Sequence, residues 1–113
     1  MYNFDVLIIG AGPAGIFTAL EINKQAPNKK ILIVDSGSSI NKRTCPARKL
    51  GRCTNCKPCN IMNGWAGAGA FSDGKLSLSE NVGGNITDYL PREKVKELIE
   101  YTDSIYLSYG APT

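Results

Sequence analysis

Asp5-Val6-Leu7-Ile8-Ile9-Gly10-Ala11-Gly12-Pro13-Ala14-Gly15 decides the fold of this chain. A short apolar run ends directly on a G-x-G-x-x-G turn. Ile16 to Gln25 then follow a helical pattern, with Ile16, Ala19, Leu20 and Asn23 on one face. Ala26-Pro27-Asn28 stops that helix, and Ile31-Leu32-Ile33-Val34 forms a second apolar run closing on Asp35. Strand, glycine turn, helix, strand and acid is the order of a parallel βαβ unit over residues 1–35.

Each glycine has a predicted task. Gly10 allows a tight turn out of the strand, Gly12 lets a phosphate approach bare backbone, and Gly15 lets the helix lie close to the sheet. The N-terminus of the helix offers free N–H groups and a positive dipole end, which attract anions. Asp35 falls twenty residues after Gly15, where a carboxylate can accept hydrogen bonds from ribose hydroxyls. It would also repel a 2′-phosphate, which argues against NADP here.

The rest of the chain divides by composition. Residues 36–63 lack acids altogether and carry Lys42, Arg43, Arg48, Lys49, Arg52 and Lys57 together with all four cysteines. They show no helix or strand period, so something other than core packing must order them. Residues 64–90 are glycine-rich. Trp65 and Phe71 within them argue for a packed, ligand-facing loop, and Leu76-Ser77-Leu78-Ser79 alternates like a short strand. Residues 91–110 read as an amphipathic packing helix, with Pro91 in its first turn and Gly110 after its end. Its expected apolar face is Val95, Leu98, Ile99, Ile105 and Tyr106.

Cys45, Cys53, Cys56 and Cys59 are spaced C-x7-C-x2-C-x2-C. Four thiolates can close a tetrahedral site for zinc or an iron–sulfur cluster. A Cys-x-x-Cys redox dithiol and four free thiols are the alternatives. The basic residues fit either a solvated loop or attraction for a phosphate.

A hydrophobic content of 42% excludes a disordered chain, and a net charge of +3 does not by itself call for an acidic partner. The sequence has no run of 18 apolar residues and no basic leader before its first strand, so a membrane partner is not expected and cytoplasmic is the default location. Only two clear strands are found, fewer than a nucleotide-binding sheet needs. An N-terminal fragment of a longer protein is therefore expected, the alternative being a complete small domain with a reduced sheet.

Residues 5–15 resemble the N-terminus of the glutathione-reductase-like flavoproteins with two dinucleotide-binding domains. Cys56 to Leu76, with its cysteines followed by Gly-Trp-Ala-Gly-Ala-Gly-Ala-Phe-Ser-Asp-Gly-Lys, resembles predicted FAD-utilising dehydrogenases of bacteria and archaea. The resemblance covers residues 4–90 and implies an FAD/NAD(P)-binding Rossmann-like α/β fold that holds FAD. It implies Gly10, Gly12 and Gly15 on the pyrophosphate and Asp35 on the adenosine ribose, with Pro13, Ala14 and Ser36 beside them. By position, Gly67, Gly69, Ser72 and Gly74 would touch the pyrophosphate or the flavin.

The resemblance further implies a flavin-dependent oxidoreductase. Its small-molecule substrate, and NAD(P)H as a possible donor, would be bound through chain beyond these residues, and the segment alone would be inactive. Many relatives carry Glu where this chain has Asp35. The chain has no histidine, and no catalytic residue is assigned. A metal-binding module with a basic loop that contacts nucleic acid, and an NAD-dependent dehydrogenase half-domain, are the competing functions.

Overall fold

The computed structural model describes residues 2–112. These form a small mixed α/β structure with a two-stranded parallel sheet and three α-helices. The chain divides into two compact units, residues 1–72 and 73–113, so the boundary falls inside the glycine-rich segment. No helix among the described residues is long and apolar enough to cross a membrane.

In the first unit, β1 (Val6–Ile9) pairs with β2 (Ile31–Val34) in parallel, with Val6 opposite Ile31 and Ile9 opposite Val34. The pairing extends past the start of β1. Asp5 N–H donates to the Lys30 carbonyl at 2.9 Å, and Lys30 N–H donates to Asp5 Oδ2 at 2.8 Å.

Helix α1 (Pro13–Gln25) crosses between the strands. It begins three residues before the expected Ile16, because Pro13 sits at the first helical position with its φ already fixed. Ile16, Ala19 and Ile22 are half-buried, whereas Leu20, expected on the same face, is exposed. On β1, Leu7 and Ile9 alternate outward and are 58% and 83% exposed, while Val6 and Ile8 are half-buried.

Gly15 is where helix and strand come closest. A Cβ at this position would collide with the Gly10 carbonyl oxygen and lie 3.4 Å from Ile8 Cγ2. The segment after β2 carries more helical structure than its sequence period predicts: a 3-10 turn at Ile40–Lys42 and the single-turn α2 (Ala47–Leu50). Gly51 ends α2 at φ +68°. A further 3-10 turn at Ala68–Phe71 closes the unit.

In the second unit, α3 (Arg92–Ser108) follows Pro91, which acts as N-cap instead of occupying the first turn. Val95 is fully buried, and Leu76, Val82 and Ile86 line a hollow with Val95, Leu98 and Ile99. Arg92 Nε meets Glu80 Oε1 at 2.8 Å. The expected strand at Leu76–Ser79 is absent. Leu76 lines the hollow beside α3 residues, and this stretch pairs with no strand among the described residues.

The contrast between two glycines is testable. Gly15→Ala forces overpacking against Gly10 and should cost about 1–3 kcal/mol in urea unfolding. Gly12→Ala, at φ −77° with its nearest neighbour 3.9 Å from the added Cβ, should leave the urea midpoint almost unmoved.

Candidate nucleotide site

Three elements meet at the C-terminal end of the sheet: the β1–α1 turn, the end of β2, and the loop from Gly64 to Phe71. Gly10 leaves β1 at φ +104°, a conformation that only glycine adopts easily, and its N–H donates to the Val34 carbonyl at 2.7 Å. Gly12 caps α1 with extended backbone, and no side chain caps that helix end. The first-turn N–H groups around Ala14 and Gly15 therefore have no side-chain acceptor.

Asp35 ties the turn to β2. Its Oδ2 accepts the Ala11 N–H at 2.9 Å and its Oδ1 accepts the Gly37 N–H at 2.8 Å. Each carboxylate oxygen can accept more than one hydrogen bond, so both retain capacity for a ligand hydroxyl. The Ala11 N–H above all, then those of Gly37 and Gly64 with the Arg43 charge, holds this carboxyl below its ordinary value against the opposing effect of burial. Asp35 lines a cleft of about 230 Å³ with Ala11, Ile33, Gly37, Ser38, Ser39 and Trp65. That is room for a nucleoside fragment rather than for a whole dinucleotide. No cation lines it, so nothing there would receive a 2′-phosphate.

The glycine loop packs directly on the turn. Ala66 N–H donates to the Ala11 carbonyl at 2.8 Å. Gly67, at φ +61°, lies so close that a Cβ there would sit 3.0 Å from Gly12 Cα. A Cβ on Gly69 would sit 3.8 Å from Pro13 Cγ. Of the residues assigned by resemblance, the structure thus gathers Gly10, Gly12, Pro13, Ala14, Gly15, Asp35, Gly67 and Gly69.

Ser36 follows the acid and faces Asn63 Oδ1 at 3.4 Å. Ser72 is the last residue of the first unit, and Gly74 belongs to the second, at φ +78°.

Arg43 is the residue that sequence reasoning missed. It is 3% exposed and bonds four main-chain carbonyls. Nε donates to Asn60 at 2.9 Å, Nη1 to Trp65 at 2.6 Å and Gly67 at 2.8 Å, and Nη2 to Ile61 at 2.6 Å. The guanidinium lies over the Phe71 ring, 4.7 Å from its centroid, and Arg48 approaches the same ring at 5.7 Å. Nothing in the sequence separates Arg43 from its five basic neighbours. The only available signal was that an ordered loop without period needs an internal organiser.

The cysteines behave differently. All four are free of disulfides, and among the described residues no three Cys, Asp or Glu side chains gather in an arrangement that could hold a metal. Cys53 Sγ accepts the Asn55 N–H at 3.4 Å, and Cys56 Sγ lies 3.2 Å from Thr54 Oγ1. The Met62 N–H, then the Ile61 N–H and the Arg43 charge, pull the Cys59 thiol below its ordinary value. Arg43 gives this loop an internal organiser through its bonds to the Asn60, Ile61, Trp65 and Gly67 carbonyls.

The chain matches an uncharacterized protein of Clostridium beijerinckii at 38% identity over 72 residues, which are 63% of this chain and 13% of that protein. It also matches an uncharacterized protein of Acanthamoeba polyphaga mimivirus at 38% identity over 39 residues, 34% of this chain and 8% of the relative. The chain therefore spans a small part of the length of these relatives. No family model matches it, and no solved structure does.

Two measurements probe the site. Arg43→Lys keeps the charge but cannot span four carbonyls, and should cost about 3 kcal/mol or more while exposing residues 60–71 to limited proteolysis. Asp35, with its pKa lowered on folding, stabilises the fold fully above its unfolded value near 3.8 and loses that contribution as pH falls through the folded value. Asp35→Asn should therefore lose less thermal stability than the native chain as pH falls below about 3.8.

Proposed function

We propose that this chain is the FAD-binding segment of a flavin-dependent oxidoreductase. The diphosphate would rest on the Gly10–Gly15 turn and the adenosine ribose on Asp35. One observation carries the proposal. Gly10 is needed for its φ of +104° and Gly15 for its contact with Gly10, but Gly12 is needed for neither. Its φ is −77°, and an added Cβ would touch nothing closer than Gly67 Cα at 3.9 Å. A glycine that the fold does not require, beside an uncapped helix end, supports a bound anion as the reason for it.

The adenosine diphosphate half is common to FAD and NAD. The choice of FAD rests on the resemblance of the turn and of the Gly64–Lys75 stretch to flavoproteins. The parallel βαβ order, with the acid at the end of β2, supports a Rossmann-like unit. When bound, the flavin supplies the two-electron chemistry. The residues of this chain bind and orient: α1 N–H groups and the Arg43 charge favour the diphosphate, Asp35 accepts from ribose hydroxyls, and the Gly67 backbone closes over the turn. Substrate and any NAD(P)H would be bound by further parts of a longer cytoplasmic enzyme.

Titration of the chain with FAD, followed by flavin fluorescence, tests this. Gly12→Val should lower FAD affinity at least about a hundredfold, because a branched side chain fills the phosphate's place, with the melting temperature nearly unchanged. Equal FAD binding by the variant would contradict the assignment. Binding of NAD in preference to FAD would favour the NAD-dependent half-domain.

A further inference from the structure

We infer that Trp65 is the surface on which the adenine ring of the bound nucleotide stacks, and that it sets a preference for a purine base. The inference rests on the proposed function and adds a residue that the glycine fingerprint does not contain. Trp65 is the sole tryptophan of the chain and stays 45% exposed inside an otherwise ordered loop. It lines the same cleft as Asp35, together with Ile33, Ala11, Ser38 and Ser39. A ribose held by the Asp35 carboxylate leaves its base within that cleft, and the indole is the one aromatic surface there.

The backbone of Trp65 is held on both sides. Its N–H donates to the Ser38 carbonyl at 3.2 Å, and its carbonyl accepts from Arg43 Nη1 at 2.6 Å. Gly64 before it, at φ +116°, and Ala66 after it, at φ +68°, both adopt conformations that L side chains rarely take. Glycine takes its conformation without strain but Ala66 does not, and a strained residue next to an exposed aromatic marks backbone held in place to present that ring. Burial does not explain it, since the residue stays 45% exposed. Stacking on an indole is tolerant of sequence but stronger for the larger purine face.

The single indole is its own reporter. Trp65 fluorescence of the 113-residue chain is titrated with ADP, UDP and inorganic pyrophosphate, with binding measured in parallel by calorimetry. ADP should quench the emission saturably and bind more tightly than UDP, while pyrophosphate binds without quenching. Trp65→Ala should weaken ADP about tenfold and leave pyrophosphate unchanged, and Trp65→Phe should recover most of the loss. The substitution removes no main-chain hydrogen bond, and circular dichroism checks the fold.

ADP binding without quenching, an unchanged ADP affinity in Trp65→Ala, or equal quenching by pyrophosphate would overturn the stacking role. The glycine-turn reading would survive those results as long as Gly12→Val still abolished ADP binding. Absence of ADP binding to the native chain would overturn both.

Discussion

The first unit depends on one buried cation. Arg43 brings a positive charge into a loop that has no carboxylate to pair with it, and burying a charge is costly unless its donors are satisfied. Here the Asn60, Ile61, Trp65 and Gly67 carbonyls satisfy them, each aimed at the guanidinium fork. Those carbonyls in turn lie in chain with no strand ladder and little helix to accept from. The interaction therefore serves both sides, replacing secondary structure for the loop and water for the arginine. A lysine has the charge without the planar fork, so the arrangement selects arginine by shape as well as by sign.

From that cation the order spreads to the turn through main chain alone. The Gly67 carbonyl holds Arg43, and the Gly67 backbone presses on Gly12. Ala66 N–H reaches the Ala11 carbonyl, Ala11 N–H reaches Asp35, and Asp35 also accepts from Gly37. A Cβ on Gly37 would sit 2.5 Å from Gly64 N, and one on Gly64 would sit 2.8 Å from Arg43 Cδ. The path closes on itself. Acid, turn and glycine loop behave as one unit, and disturbing Arg43 reaches the candidate site without any residue in between acting as a ligand.

What was legible follows from where the information is written. β1, α1 and β2 announce themselves through side-chain period and glycine spacing, and the residues at their junction, Gly10 to Gly15 and Asp35, are found where that pattern puts them. The loop was not legible because its partners are carbonyl groups, which every residue carries. Arg43 and Lys42 look alike in sequence and differ only in that one is buried and the other exposed. The spacing of the cysteines is visible in the sequence, and the arginine clamp is not. Leu76 to Ser79 alternates as a strand would but pairs with no strand among the described residues, and pairing is a condition no local pattern reports.

Electrostatics decides whether an anion can rest beside Asp35 at all. A free carboxylate next to a diphosphate would repel it, and at the edge of the β1–α1 turn there is little room to separate the two. The structure reduces that repulsion in two ways. Ala11 and Gly37 donate N–H groups to opposite oxygens of the carboxylate, drawing its charge toward the backbone and away from the open side of Gly12. The Arg43 charge adds a smaller favourable effect on the exposed Asp35 carboxylate. The uncapped start of α1 adds a positive end on the ligand side. In the proposed nucleotide complex the carboxylate would stay ionised and accept from sugar hydroxyls while the adjoining backbone received phosphate.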